Sequence, residues 1–271
     1  MIVSPEKRFE DLPPKAEMLT LYTFNVSHFA EKARWALDYE RVPYEERVLL
    51  PGPHQLVTRR VAQRSHVPVL EHDGRYVQGS GAIIDYVADR LGGTMLTATD
   101  PTERARTLEL EKTLDDAFGR GVQQVLYSAL LNDRRTVVDL WSSGGPFWAR
   151  GFYAIAFPAV ATAVKRMYKT NDVEGIARAK QRFLSTFDEL DAVLAQQRYL
   201  GGDQPNRCDI TLASLLAPVC RVPAHRVKWP AMPPELENFE ASLRGRPTWS
   251  HVFRMYRDHR KPGRPNAGRA D

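Results

Sequence analysis

Residues 18–39 read MLTLYTFNVSHFAEKARWALDY, and the change of period inside this stretch decides the fold. Residues 18–24 are apolar and rich in side chains that suit extended backbone, which predicts a strand. Residues 25–27 form a polar turn. From His28 onward the period switches: Phe29, Ala33, Ala36 and Leu37 recur at helical spacing, while Glu31, Lys32 and Arg34 fall elsewhere on the wheel. The order is therefore strand, short turn, helix.

Working outward, residues 46–50 predict a second strand, broken by Pro51-Gly52-Pro53. The segment to Ser65 is polar and basic and predicts a short helix and a loop. Val67-Pro68-Val69-Leu70 is an apolar run whose proline confines it to a sheet edge or a strand start. Asp73-Gly74 is a hairpin turn, with residues 75–77 as the returning strand. Residues 80–91 predict a helix with Ile83, Ile84, Val87 and Leu91 inward and Ser80 as its N-cap. This gives βαβ followed by ββα within the first ninety residues.

Past a linker at 93–102 the pattern is helical. Helices are expected over 103–131, over 147–169 with an interruption near Pro158, over 173–196 and over 247–257. The third carries Ile176, Phe183, Phe187, Leu190, Val193 and Leu194 on one face. Asn206 and Asp209 stand three apart before an apolar run, a capping-box arrangement opening a helix apolar on nearly all sides. That helix is expected at the centre of the second domain. The expected organisation is an extension over 1–17, an α+β domain over 18–92, the linker, an all-helical domain over 103–260 and a basic tail over 261–271.

Composition narrows the classes. The 271 residues are 43% hydrophobic and 26% charged, which excludes disorder as the dominant state. The net charge is +5, of which +3 falls in residues 257–271. A tail that also carries Pro262, Gly263, Pro265 and Gly268 reads as a solvated end, so no nucleic-acid partner is expected. The most apolar stretch, 151–164, carries Pro158 and falls short of the roughly 18 residues needed to span a bilayer. A buried helix, no membrane span and a cytoplasmic location are expected. Two cysteines, Cys208 and Cys220, exclude a disulfide scaffold and a thiolate-rich zinc site. The seven histidines show no ligand spacing, so no metal is expected.

Four motifs now stand in order: LYTFNVSHFAEKARWAL, VPVL, QGSGAI and NRCDITLA. Over residues 18 to 260 the chain resembles the cytosolic glutathione transferases, and its first motif resembles their serine-type members. The resemblance implies a thioredoxin-like first domain followed by a helical one, a homodimer, and thiol chemistry. It makes Ser27 the catalytic hydroxyl, donating to the sulfur of glutathione. The physics fits that role. A free thiol has a pKa of about 8.5, and lowering it by two units takes about 2.7 kcal/mol. A hydroxyl-to-anion hydrogen bond supplies roughly 1.5–3 kcal/mol and a helix N-terminus about 0.3–1. Read without the resemblance, Ser27 is only an N-cap.

The remaining assignments follow from the same resemblance. Val67-Pro68 matches a cis-proline turn that presents the Val67 backbone to a peptide. Ser80 and its helix N-terminus match the site for the γ-glutamyl carboxylate. Gly79 stands where the family has an acid for the γ-glutamyl ammonium, so Gln78, Glu71 or Asp85 is left to serve it, or a different small thiol is used. His54, Arg59, Arg60 and Arg64 are candidates for the glycine-end carboxylate. Tyr22 is the runner-up hydroxyl and reads as core packing, and His28 stands where proline is usual. The second-substrate pocket is assigned to Trp141, Trp148 and Phe152 with Phe147, Tyr153 and Phe157, and to Tyr22, Asn25, His28 and Phe29 beside Ser27. The first domain has no cysteine, which argues against disulfide exchange through an enzyme thiol. The expected activity is transfer of glutathione, or a related thiol, to a small hydrophobic electrophile. A non-catalytic binding protein of the same fold and a thiol-dependent isomerase or dehalogenase are the alternatives.

Overall fold

Strand β1 (Leu19–Thr23) runs down the middle of a four-stranded sheet of order β2-β1-β3-β4. In this computed structural model residues 18–93 and 95–261 are described. The extension expected over 1–17, Thr94 of the expected linker and residues 262–271 of the expected tail lie outside the described residues. β1 is parallel to β2 (Tyr44–Val48) and antiparallel to β3 (Val69–His72), which pairs antiparallel with β4 (Arg75–Gln78). A parallel neighbour needs a crossover, and α1 (His28–Tyr39) supplies it. Strand β2 begins two residues before the stretch predicted from sequence. Leu50 lies past the end of the strand, in the buried cluster that also holds Trp141 and Tyr153 of the second domain. Helices α2 (Gln55–Val61) and α3 (Ser80–Arg90) complete the first domain.

Nine of the twelve α1 residues are buried, Glu31, Lys32 and Arg34 included. Ala33 and Leu37 pack on Leu21, Leu70, Ile83 and Val87, forming the core beneath the sheet. Trp35 and Ala36 join the larger core of the second domain. The charges between them face the domain seam. Lys32 reaches Glu111 and Asp115, both at 2.8 Å. Arg34 pairs with Glu31 at 3.0 Å and Glu46 at 2.8 Å, and Arg260 reaches Glu31 at 2.8 Å. Breaking one member of such a buried set typically costs about 3–5 kcal/mol, because its partner is left charged and dry.

The second domain runs α4 (Pro101–Leu114), a π-helical turn (Asp115–Arg120), α5 (Gly121–Leu130), α6 (Arg134–Ser142), α7 (Ala149–Tyr168), α8 (Val173–Leu194), α9 (Arg207–Cys220), α10 (Pro234–Leu243) and α11 (Pro247–Asp258). The single helix predicted over 103–131 is thus split by the π turn. Helices α6 and α10 are not foreseen by the sequence reading. For α6 a signal exists: Asp133 caps the Thr136 N–H, and Val137, Val138 and Trp141 share a buried face. Helix α7 passes unbroken through Pro158, contrary to expectation. Proline deprives the Ala154 carbonyl of its helical donor, and the Arg134 guanidinium takes that carbonyl instead. On α8, Phe183, Phe187, Leu190 and Leu194 are buried, but Val193 lies at the flank of that stripe and is 41% exposed. All fourteen residues of α9 are buried, and Asn206 with Asp209 closes the capping box.

Acid should unfold this seam early. Burial holds the His28 and His225 imidazoles down at about 4, against an ordinary value of 6.5. Unfolding therefore takes up protons between these values, so stability is fully present above pH 6.5 and falls as pH drops toward 4. Glu31 extends the loss: burial raises its carboxyl, but Arg260 and Arg34 outweigh burial and hold it at about 2. Urea midpoints measured from neutral pH down to about pH 4.5 should fall steadily. A flat midpoint across that range would contradict the buried neutral histidines.

Candidate functional site

A cavity of about 640 Å³ opens between the domains at the start of α1. Its first-domain wall carries Ser27, His28, Phe29, the Val67-Pro68 turn, and Gln78 through Ala82. Ser27 is the N-cap of α1, and its Oγ accepts the Ala30 N–H at 3.2 Å. The cap uses the oxygen as an acceptor and leaves the O–H available to donate toward the cavity. The Val67–Pro68 bond is cis.

Gly79, not Ser80, is the N-cap of α3. Ser80 is the first helical residue and is buried. Gly79 has φ of +101°, a region that side chains with a Cβ enter only with strain, and its N–H donates to the Pro68 carbonyl at 3.0 Å. The acid absent from this position is thus replaced by the residue its backbone best accommodates.

The neutral or acidic stand-ins for that acid are engaged elsewhere. The Gln78 amide donates to the Arg64 and His66 carbonyls at 2.7 and 2.8 Å, and its oxygen accepts the Arg64 N–H at 3.2 Å. Gln78 therefore staples the 64–66 loop. Glu71 accepts from Tyr22 at 2.6 Å and from Tyr76 at 3.2 Å. Asp85 pairs with Arg207 at 2.6 Å.

His54 lines the cavity but is committed. Its Nδ1 accepts the Gly52 N–H at 3.0 Å and its Nε2 faces the Ser65 carbonyl at 2.5 Å. Burial lowers its pKa, so it stays neutral and is a poor partner for a carboxylate. Arg59 and Arg60 are exposed on α2, outside the cavity. Arg64 reaches the cavity from the first domain and Arg120 from the second.

Tyr22 and Asn25 do not line the cavity. The Tyr22 phenol is pushed up to about 12, by burial first and then by its bond to Glu71, so it remains protonated. The Asn25 amide donates to Ser143 Oγ at 2.7 Å and ties the β1–α1 turn to the second domain. His28 is 5% exposed and neutral, with its ring 4.8 Å from Phe29 and its Nε2 without a partner among the described residues. Phe29 packs against the bare backbone of Gly119, where a Cβ would stand 2.3 Å from its ring.

The apolar end is built by α5, α6 and α7. Tyr127 and Tyr168 stack at 4.9 Å, Trp141 lies beside them, and Val160, Val164 and Met167 close the wall. Of the aromatic wall assigned from sequence only Trp141 lines the cavity. Phe147 is 99% exposed and Trp148 48% exposed. Phe152 packs between Trp148 and Tyr153, while the Tyr153 hydroxyl donates to the Pro51 carbonyl at 2.6 Å. Phe147 and Trp148 precede α7 on the exposed surface, Phe152 and Tyr153 pack into the cluster that holds Trp141, and it is the C-terminal half of α7 that faces the cavity. Asp115, Gln123, Tyr127 and Tyr168 also line the cavity and were not singled out from sequence. Helical spacing groups Asp115, Gln123 and Tyr127, but which face meets the cavity is not a local property. Cys208 and Cys220 are free and buried away from it. Among the described residues no group of three metal-ligating side chains converges, and no helix is long and apolar enough to cross a membrane.

Comparison with known proteins gives a consistent picture. The glutathione S-transferase N-terminal domain profile matches residues 21–94 and the C-terminal domain profile residues 173–242, together just over half of the chain. A glutathione S-transferase from Pseudomonas putida is 33% identical over 98 residues, 36% of this chain and 44% of that one, so the match spans less than half of that relative. The beta-etherase LigF of Sphingobium is similar in structure with a TM-score of 0.59, at 19% identity, over 88% of this chain and 99% of that one. A glutathione S-transferase of Ceriporiopsis subvermispora, solved in complex with glutathione, has a TM-score of 0.59 at 15% identity, over 92% of this chain and 100% of that one. At such identities these two structures speak for the fold alone.

Proposed function

The chain belongs to the cytosolic glutathione S-transferase superfamily, and from that premise we propose that it transfers glutathione to an apolar electrophile with Ser27 activating the thiol. The observation that carries this reading is the Ser27 hydroxyl. Its oxygen is capped by Ala30 N–H, its proton is free to donate, and it stands at a helix N-terminus on the wall of an interdomain cavity. Three thiol-side elements lie along one wall: Ser27 at the sulfur, the Val67 backbone beside the cis-proline, and Ser80 in the first turn of α3.

In this mechanism the bound thiol loses its proton to solvent, and the Ser27 O–H donates to the resulting thiolate. The sulfur lone pair forms a C–S bond to the electrophilic carbon, whose leaving group departs with the bonding electrons. The stacked Tyr127–Tyr168 pair and Trp141 offer flat apolar faces to an aromatic or extended hydrocarbon substrate. Ser80 and the α3 N-terminus suit a carboxylate. The superfamily's homodimeric assembly is proposed for this chain as well.

Titration calorimetry with glutathione, run beside a rate assay on a generic electrophile, tests the proposal. Binding between micromolar and low millimolar with turnover supports it. Absence of heat at tens of millimolar overturns it and leaves a non-catalytic binding protein of the same fold.

A further inference from the structure

Two cations, from α1 and α9, serve three carboxylates, from α3, α4 and the π turn. Lys32, with a fully buried side chain, lies 2.8 Å from Glu111 and 2.8 Å from Asp115. Arg207, 1% exposed, holds Asp85 at 2.6 Å and Glu111 at 2.7 Å. One negative charge of the set is left over. Glu111, one helical turn before Asp115, comes within 3.9 Å of the place a Cβ on Gly81 would take. The acidic edge of the second domain thus adjoins the first turn of α3. Of the three carboxylates, Asp115 is the one that lines the cavity, and its side chain is 30% exposed.

We infer that Asp115 receives the ammonium of the amino-acid arm of the thiol substrate, the role that Gly79 leaves open, while the carboxylate of the same arm takes Ser80 and the first-turn N–H groups of α3. The inference rests on the glutathione reading above. Lys32 holds both Asp115 oxygens, at 2.8 and 3.0 Å, but Asp115 is the acid that faces the cavity, whereas Glu71, Asp85 and Asp116 do not line it. Burial pushes the Asp115 carboxyl up although Lys32 pulls it down. A second cation arriving from the cavity would complete the charge balance. An acid supplied by the second domain also makes the thiol substrate a bridge across the seam, which an acid at Gly79 would not.

The test is calorimetry on the full chain with two ligands, glutathione and its N-acetylated form, which lacks the ammonium. For the unmodified protein glutathione should bind the tighter of the two by about tenfold or more, the worth of one charge-assisted hydrogen bond. Asp115→Asn should lose that preference, weakening glutathione by the same factor and leaving the acetylated ligand unchanged. Asp115→Glu should retain the preference, which guards against a variant that merely disturbs Lys32. Asp116→Asn should behave as the unmodified protein. Equal weakening of both ligands by Asp115→Asn would assign Asp115 a structural role and overturn the inference, as would no weakening of either. If the unmodified protein binds no glutathione, the transferase reading falls with it. If it binds glutathione and Asp115→Asn binds it equally well, this inference falls alone.

Discussion

Ser27→Ala should lower kcat/KM for thiol transfer by roughly 10- to 150-fold near neutral pH, the loss of about 1.5–3 kcal/mol of hydrogen bonding to the thiolate. The pH profile should move with it. Without the hydroxyl donor the bound thiol titrates closer to its free value of about 8.5, so activity recovers as the pH is raised. That shift separates a chemical role from a structural one. The variant also loses the side-chain cap on the Ala30 N–H, which costs about 1 kcal/mol of stability and leaves the protein folded. Ser27→Thr keeps both the cap and the donor and should retain most of the rate. An alanine variant with an unchanged rate and an unchanged pH profile would remove Ser27 from the mechanism.

Asp209→Ala should be the most destabilising single change among those considered. Asp209 is fully buried. Its carboxylate accepts the Leu200 N–H at 2.7 Å, the Asn206 N–H at 2.9 Å and the Gly201 N–H at 3.2 Å. His251 Nε2 stands 3.1 Å away, off the line of a hydrogen bond. Alanine leaves three backbone donors dry, each at about 1–3 kcal/mol. A total of about 4 kcal/mol or more is a large share of the roughly 5–15 that hold a protein folded. At about 2–4 °C per kcal/mol, the melting temperature should fall by roughly 10 °C or more. Asp209→Asn keeps one acceptor oxygen and should fall by less. A melting point within about 2 °C of the unmodified protein would mean that water reaches these donors and that the box is not the keystone of α9.

Much of the first-domain wall of the cavity was legible from sequence because its signals are local. Ser27 precedes a run of helical period and therefore caps it. The proline of Val67-Pro68 fixes where β3 can begin. Gly79 and Ser80 mark the start of α3, although the cap itself belongs to Gly79, whose positive φ leaves no unstrained place for the expected side chain. The errors lie where a side chain's role depends on a distant partner. His54 and Gln78 carry the right chemistry for ligands but spend it on the loop at 64–66. Phe147, Trp148 and Phe152 have the right composition for a pocket wall, but the first two lie exposed ahead of α7 and Phe152 packs into a neighbouring core cluster.

The sequence by itself determined the strand–turn–helix opening, the ββα unit and the Asn206–Asp209 box, because period, capping and turn chemistry act over a few residues; the cis Val67–Pro68 turn was implied by the family resemblance alone. It also determined that α9 would be central, since a helix apolar on nearly all sides has nowhere else to go. Only the tertiary structure decided what the charged residues of α1 do. Lys32 meets Asp115 across 83 positions of chain, and Glu31 meets Arg260 across 229. A lysine on a helix reads as solvated until another element closes over it, and burial and pairing are made by that closure. The same packing puts Asp115 on the cavity wall, whose first-domain side carries no acid.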